Sequence, residues 1–221
     1  MKKIYFLLLA TILIASCKPK SGQSDKTNGK PVITVTLEPL RYFTEAIAGD
    51  RFTVVSMVPK GTSPETYDPT PQQLVDLARS KAYFRIGYIG FEQTWTDKLT
   101  DNAPHLQFFD MSQGVDLIYD NTHSHRHAED GKEHHATGVE PHIWNSATNA
   151  QIIAGNILSA LCSIDKSNES AYLERYNALC RQIEHTDSLI RQTLTAPGAD
   201  HAFMIYHPAL SYFARDYGLH Q

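Results

Sequence analysis

The sequence lacks an excess of positive charge and lacks the short motifs of common enzyme classes. Its 24 Asp and Glu outnumber its 20 Lys and Arg, and the formal net charge is -4. This balance argues against nucleic acid as the main partner, because phosphate binding requires a basic surface. The chain contains no glycine-rich phosphate loop, no Gly-x-Ser-x-Gly elbow and no His-Glu-x-x-His helix. The sequence therefore gives little support for catalysis.

Cysteine is also scarce, and one of the 3 cysteines lies in an export signal. Lys2 and Lys3 precede a short apolar run, residues 4–15, which is too short to span a bilayer as a stable helix. Small residues then lead to Cys17. We interpret residues 1–17 as a bacterial lipoprotein signal segment. Once the signal before it is removed, Cys17 becomes the new N-terminus and its thiol carries the lipid anchor. The alternative is an ordinary secretory signal followed by a chance cysteine.

The polar residues 18–30 predict a flexible tether. The protein is then exported and held at a bacterial membrane, facing the periplasm or the cell exterior. An oxidising compartment permits a disulfide between Cys162 and Cys180, which both lie on predicted helices. The alternative is two small buried apolar side chains, and the sequence leaves both open.

Strands alternate with helices through the first half of the chain, which predicts an α/β fold with a parallel sheet. The predicted strands are Val32–Leu37, Thr53–Val58, Tyr83–Ile86 and Gln107–Asp110, and the predicted helices are Pro39–Ile47, Pro71–Ser80 and Trp95–Leu99.

The second half of the chain is dominated by a long predicted helix. A polar segment, 122–138, precedes a helix at Asn149–Leu161, and the long helix follows at Asn168–Leu194. A strand at Ala202–Tyr206 and a helix at Pro208–Tyr217 come last. The predicted units are an N-terminal lobe at 31–166, a connecting helix at 167–196 and the start of a C-terminal lobe at 197–221. Because one strand–helix unit does not bury a core, we expect a longer protein with a second lobe truncated here.

Histidine is abundant, with 11 residues, and five of them lie in the segment 122–138. Imidazoles mixed with carboxylates in a polar loop suit weak, exchangeable binding of Zn²⁺. The segment is internal and interrupted by arginine and acidic residues, which disfavours a cloning tag. We predict an auxiliary metal-collecting loop formed by His123, His125, His127, His134 and His135.

Three further side chains lie at strand-to-helix junctions. Glu65 lies in a loop rich in proline and glycine, where backbone positions are fixed, and His142 and His207 each lie beside a proline. Singly, each has a simpler explanation: a solvated glutamate or a hydrogen-bonded core histidine. Together they predict a Zn²⁺ site, since zinc prefers about four N, O or S ligands.

Three ordered motifs carry a family resemblance: Pro-Lys-Gly-Thr-Ser-Pro-Glu-Thr-Tyr-Asp-Pro-Thr-Pro, Glu-Pro-His-Ile-Trp, and Tyr-His-Pro-Ala-Leu-Ser-Tyr-Phe. With the histidine-rich loop, they resemble the zinc/manganese solute-binding proteins of ABC importers, of the ZnuA type. The resemblance implies a two-lobed α/β fold with a long inter-lobe helix, metal in the cleft, no enzymatic activity, and a permease and an ATPase as partners. It also implies that His142 and His207 are ligands.

The chain departs from the family pattern at Glu65, where the family usually has histidine. A carboxylate moves selectivity towards Mn²⁺ or Fe²⁺, whereas the histidine-rich loop resembles that of zinc-specific members, so we expect Zn²⁺ with Mn²⁺ as the alternative. The family's acidic fourth ligand is expected beyond residue 221. Two other functions stay open: a surface adhesin or zinc buffer with the same fold, and a metal-dependent hydrolase with Glu65 as its base.

Overall fold

The computed structural model describes residues 29–119 and 138–221. The predicted signal segment, Cys17 and the five loop histidines lie outside the described residues. The predicted boundaries of the tether and of the lobes stay predictions.

Four short parallel strands form one sheet, as the alternating pattern predicts. They are β1 (Val32–Val35), β2 (Thr53–Ser56), β3 (Ala82–Arg85) and β4 (Gln107–Asp110), in the order β2-β1-β3-β4. The chain leaves β1 towards β2 on one side and returns to β3 on the other. This reversal places a crevice at the carboxyl ends of β1 and β3, the usual ligand-binding edge of such sheets.

The sheet is buried on both faces. Ile33, Val35 and Phe84 are completely buried, as are the helix residues Leu40 and Ile47 that cover them. A parallel strand covered on both faces has an almost continuous apolar sequence, which is why the short β-branched runs identified these strands.

Six helices cover the sheet and extend from it in the described part of the chain. They are α1 (Glu38–Ala48), α2 (Pro71–Ala78), α3 (Gly90–Asn102), α4 (Ala147–Ile164), α5 (Glu169–Leu194) and α6 (Ser211–Tyr217), with one 3-10 turn at Lys166–Asn168. Local sequence starts α2: Thr70 and Gln73 form a reciprocal capping box, and Pro71 occupies the first turn, where it needs no hydrogen-bond donor.

Helices α4 and α5 form an antiparallel hairpin, which keeps the two cysteines apart. The structure contains Cys162 and Cys180 as free thiols. Cys162 lies two residues before the end of α4 and so near the start of α5 at Glu169. Burial, followed by the charge of Glu169, raises the pKa of the Cys162 thiol. Cys180 lies about 16 Å further along α5, at 1.5 Å per residue. A disulfide needs Cα atoms within about 7 Å, so the two thiols do not pair in this structure, and both are half-buried.

Helix α4 is the one helix in the described ranges that is long and apolar enough to cross a membrane by length and composition. Ile153, Ile157 and Leu161 are completely buried in the common core. Its apolar character is therefore accounted for by packing against α1 and α5.

The strand expected at Ala202–Tyr206 does not form. Ala202 makes an isolated parallel bridge to His220, and the residues after it pair with no other strand in the described structure. Met204 is 98% exposed, and Tyr206 is fully exposed. The segment is apolar, but a strand also needs a neighbouring strand to pair with. Helix α6 is also shorter than predicted, starting at Ser211.

Candidate metal site

Glu65 lies in the proline-rich loop between β2 and α2, and this loop rests on the first turns of α3. Phe91 N donates to Pro64 O at 3.0 Å, and the Tyr67 and Phe91 rings pack with centroids 5.8 Å apart. Further along α3, Trp95 Nε1 donates to Asp68 Oδ1 at 3.1 Å. The loop is therefore held by α3 as well as by its own prolines.

The Glu65 carboxylate accepts a hydrogen bond from Gly90 N at 3.1 Å. Gly90 begins α3, so this carboxylate pairs with one of the free N–H groups at the helix N-terminus and with the positive end of the helix dipole. The contact requires glycine: a Cβ at position 90 would lie 2.7 Å from both the carbonyl and the carboxylate oxygen of Glu65.

A second carboxylate, Glu92, fixes the crevice between β1 and β3. Glu92 is 1% exposed and accepts hydrogen bonds from Thr36 Oγ1, from Ile86 N at 2.9 Å and from Gly87 N. Burial raises the pKa of the Glu92 carboxyl, while these donors oppose the shift. Glu92 has no exposed oxygen for a ligand; it holds the loop that leads into α3.

His142 lies in a short turn anchored to the first half of the chain. Val139 forms an antiparallel bridge with Tyr119, and Glu140 N donates to Ile118 O at 2.9 Å. Glu140 Oε1 accepts a hydrogen bond from His142 N at 3.0 Å and contacts His142 Nδ1. With its Nδ1 proton donated to Glu140, His142 presents the lone pair of Nε2 on the opposite side of the ring.

His207, which follows the long helix α5 in sequence, contacts this nitrogen. The two Nε2 atoms are 3.1 Å apart, although the residues are 65 positions apart in sequence. The rings are nearly perpendicular, with centroids 4.9 Å apart. Side-chain exposure of His142 is 12%, and His207 is exposed. The pair therefore has one histidine largely buried, His142, and one exposed to solvent, His207.

The spacing of the two nitrogens fits shared coordination of one ion. Two imidazole nitrogens bound to Zn²⁺ at about 2.0–2.1 Å in a tetrahedral arrangement lie about 3.3 Å apart. The observed Nε2–Nε2 distance of 3.1 Å requires only a small adjustment. Glu140 behind His142 is the carboxylate that commonly orients a metal-binding histidine. With the His142 Nδ1–H assigned to Glu140, His207 is assigned as the Nε2–H donor and His142 Nε2 as its acceptor, and an ion would replace that proton.

The structure brings together two of the three predicted ligands. The described residues contain no group of three or more His, Cys, Asp or Glu side chains that could hold a metal, and Glu65 bonds to Gly90 rather than to either histidine. Sequence reasoning also missed Glu140. The sequence feature that could have identified Glu140 is its place two residues before His142, in the Glu-Pro-His-Ile-Trp motif from which only the histidine was taken as a candidate.

The comparisons with known proteins decide the family. Residues 33–221 match the model of the family ZnuA, described as "Zinc-uptake complex component A periplasmic". The chain belongs to this family. Its members include substrate-binding proteins of metal ABC transporters, which confirms the resemblance read from the three motifs.

Two curated relatives carry different metals in their names. The manganese ABC transporter substrate-binding lipoprotein PsaA of Streptococcus anginosus is 29% identical over 99% of this chain and 70% of its own length. The high-affinity zinc uptake system protein ZnuA of Bacillus subtilis is 24% identical over 99% of this chain and 69% of its own length.

A crystal structure of a ZnuA deletion mutant with zinc bound confirms the fold. It is 33% identical to this chain, with a TM-score of 0.76, and the match covers 87% of this chain and 68% of that one. The predicted α/β architecture of this family is therefore confirmed, and the chain spans about two thirds of the length of these relatives.

Proposed function

We propose that this protein captures Zn²⁺ outside the cytoplasmic membrane and delivers it to an ABC permease and its ATPase, without catalysing a reaction. The observation that carries the proposal is the pair of Nε2 atoms 3.1 Å apart, one of them backed by Glu140. Two neutral imidazoles are donors that Zn²⁺ accepts readily, while Mn²⁺ prefers carboxylate, carbonyl and water oxygens.

Glu65 is proposed as the third ligand on the resemblance to the family pattern. Its carboxylate is exposed and would exchange the hydrogen bond from Gly90 N for the ion. The histidines of the 122–138 segment would collect Zn²⁺ and pass it on. Cys17 would hold the protein at the membrane through its lipid, and Cys17→Ser should release it into the soluble fraction.

Competitive metal titration of the full-length protein tests the proposal. We expect Zn²⁺ to bind at micromolar concentration or below and to displace Mn²⁺. His142→Ala and His207→Ala should each weaken Zn²⁺ binding by about 100-fold, equivalent to about 2.7 kcal/mol. The control is His185→Ala, which removes an exposed histidine of α5 and should change nothing.

Two results would overturn the zinc assignment: no binding at micromolar Zn²⁺, or displacement of Zn²⁺ by Mn²⁺. Glu65→Gln separates the ligand question from the metal question. If Glu65 coordinates, the variant binds Zn²⁺ more weakly and loses residual Mn²⁺ affinity further. If Glu65 only caps α3, Zn²⁺ binding is unchanged and the variant is slightly less stable.

A further inference from the structure

We infer that Asn145 is a positioning residue that sets the spacing between His142 and His207; this inference rests on the proposed metal-binding function. Asn145 lies in the same turn as His142, and its backbone N–H donates to His142 O at 3.1 Å. Its side chain reaches the other histidine-bearing loop, where Nδ2 donates to Ala209 O at 2.9 Å. One half-buried side chain thus ties together the two turns that carry the histidines.

The loop on the far side of this link has little other support. Its residues Met204 and Tyr206 are exposed to solvent, and His207 is exposed as well. Ala209 N donates back to His207 O at 2.7 Å, so the tie from Asn145 reaches the histidine through one compact turn. Since no sheet fixes His207, a hydrogen bond at Ala209 has a direct effect on where its ring lies.

A second link runs parallel to the first. Ser146 Oγ caps α4 by accepting from Asn149 N at 3.0 Å and donates to Asp216 Oδ2 of α6. Arg215 Nε holds the other oxygen of Asp216 at 3.2 Å. The Ser146–Asp216 hydrogen bond holds the whole of helix α6 against the start of α4. The Asn145–Ala209 hydrogen bond acts instead on the turn that contains His207. We therefore expect the Asn145 link to control the site geometry.

Co²⁺ reports this geometry, because its visible absorption depends on coordination number and symmetry. Asn145→Asp keeps the size of the side chain, removes the Nδ2–H donor and places a carboxylate against the Ala209 carbonyl. We expect Zn²⁺ affinity to fall about 10-fold and the Co²⁺ absorption to lose intensity and shift. Asn145→Ala removes the donor without adding charge and should act in the same direction by less.

The matched control is Asn156→Asp on α4. Asn156 Nδ2 also donates to backbone carbonyls, Met111 O and Gln113 O, both at 2.9 Å. The substitution should lower the melting temperature by about as much as Asn145→Asp does, while Zn²⁺ affinity and the Co²⁺ spectrum stay unchanged. A purely structural role for Asn145 predicts that the two Asn→Asp variants behave alike.

The possible outcomes distinguish a failure of this inference from a failure of the proposed metal-binding function. If the unaltered protein binds Zn²⁺ and both Asn145 variants match its affinity and Co²⁺ spectrum, the inference is overturned and the proposed function stands. If the unaltered protein binds no metal, the proposed function is overturned and the inference with it. If Asn145→Asp does not fold, Asn145→Ala against Asn156→Ala makes the same comparison.

Discussion

The region around the parallel sheet and the region after α5 each supply one histidine, but they hold it by different means. The sheet region has its own core, in which Ile33, Val35 and Phe84 have no exposed surface. The segment after α5 leaves Met204 98% exposed and makes one isolated strand bridge. Contacts within the sheet region therefore position His142, whereas His207 is positioned by contacts that its segment makes with the sheet region. A binding site can thus be rigid on one side and depend on a few hydrogen bonds on the other.

The largest expected effect tests the difference in packing. Phe84→Ala leaves a cavity in the centre of the sheet and should cost about 3–5 kcal/mol in the free energy of unfolding. Tyr206→Ala, at a fully exposed ring, should change it by less than about 0.5 kcal/mol. Chemical denaturation measures both. Similar costs for the two variants would break the comparison, because the second region would then have a core of its own.

The next effect concerns the well-held histidine. Glu140→Gln keeps the shape of the side chain but weakens the acceptor for His142 Nδ1–H, so it should reduce Zn²⁺ affinity about 10- to 100-fold. Isothermal titration measures this loss. The stability of the metal-free protein should change little. An unchanged affinity would mean that the backbone alone orients His142.

Tyr212 tests how α6 is attached to the sheet region. Its ring is completely buried, and its hydroxyl donates to Glu140 O at 2.8 Å and accepts from Ile118 N at 3.1 Å. Tyr212→Phe leaves both backbone groups without this partner and should cost about 1–2 kcal/mol in the free energy of unfolding. Thermal denaturation measures the loss, and Tyr42→Phe, at an exposed ring, is the control. Equal melting temperatures for the two variants would show that this contact is not important.

The smallest effect is a pH dependence at the end of α5. Asp187 accepts from Arg191 Nε at 2.9 Å and from Tyr217 Oη at 2.7 Å, and Arg191, followed by Tyr217, lowers the pKa of the Asp187 carboxyl. Because the folded-state pKa is depressed, this contribution is present above about pH 4 and is lost as the pH falls towards the folded-state value.

Asp187→Asn should therefore remove part of the acid sensitivity of unfolding, with a change of about 0.5 kcal/mol at neutral pH. Denaturation at a series of pH values measures it, with Asp97→Asn of α3 as the control. A variant whose stability falls as steeply as that of the unaltered protein below pH 4 would rule out this role for Asp187.

Much of the sheet region could be predicted from sequence, because its strands are buried runs bounded by glycine and proline. The predicted helix Trp95–Leu99 was too short because the start of α3 is set by tertiary contacts: Glu92 binds the preceding loop, and Glu65 binds Gly90 N. The predicted strand Ala202–Tyr206 failed because pairing depends on a neighbour, which local sequence does not specify.

In the candidate site, too, the sequence predicts the residues but not their contacts. The identities of His142 and His207 as candidates followed from their proline-flanked junctions, but their 3.1 Å approach is a tertiary fact between residues 65 positions apart. The hydrogen bond from Asn145 Nδ2 to Ala209 O is of the same kind. For the two cysteines, the sequence left a disulfide open, and the packing of α4 against α5 keeps the two thiols apart.

X-ray absorption at the zinc edge is the most direct test of the central claim, that one ion is shared by His142 and His207. The zinc-loaded protein should show two imidazole nitrogens at about 2.0–2.1 Å, and His142→Ala and His207→Ala should each remove one of them. A zinc spectrum without imidazole scattering, or one that neither substitution changes, would contradict the account.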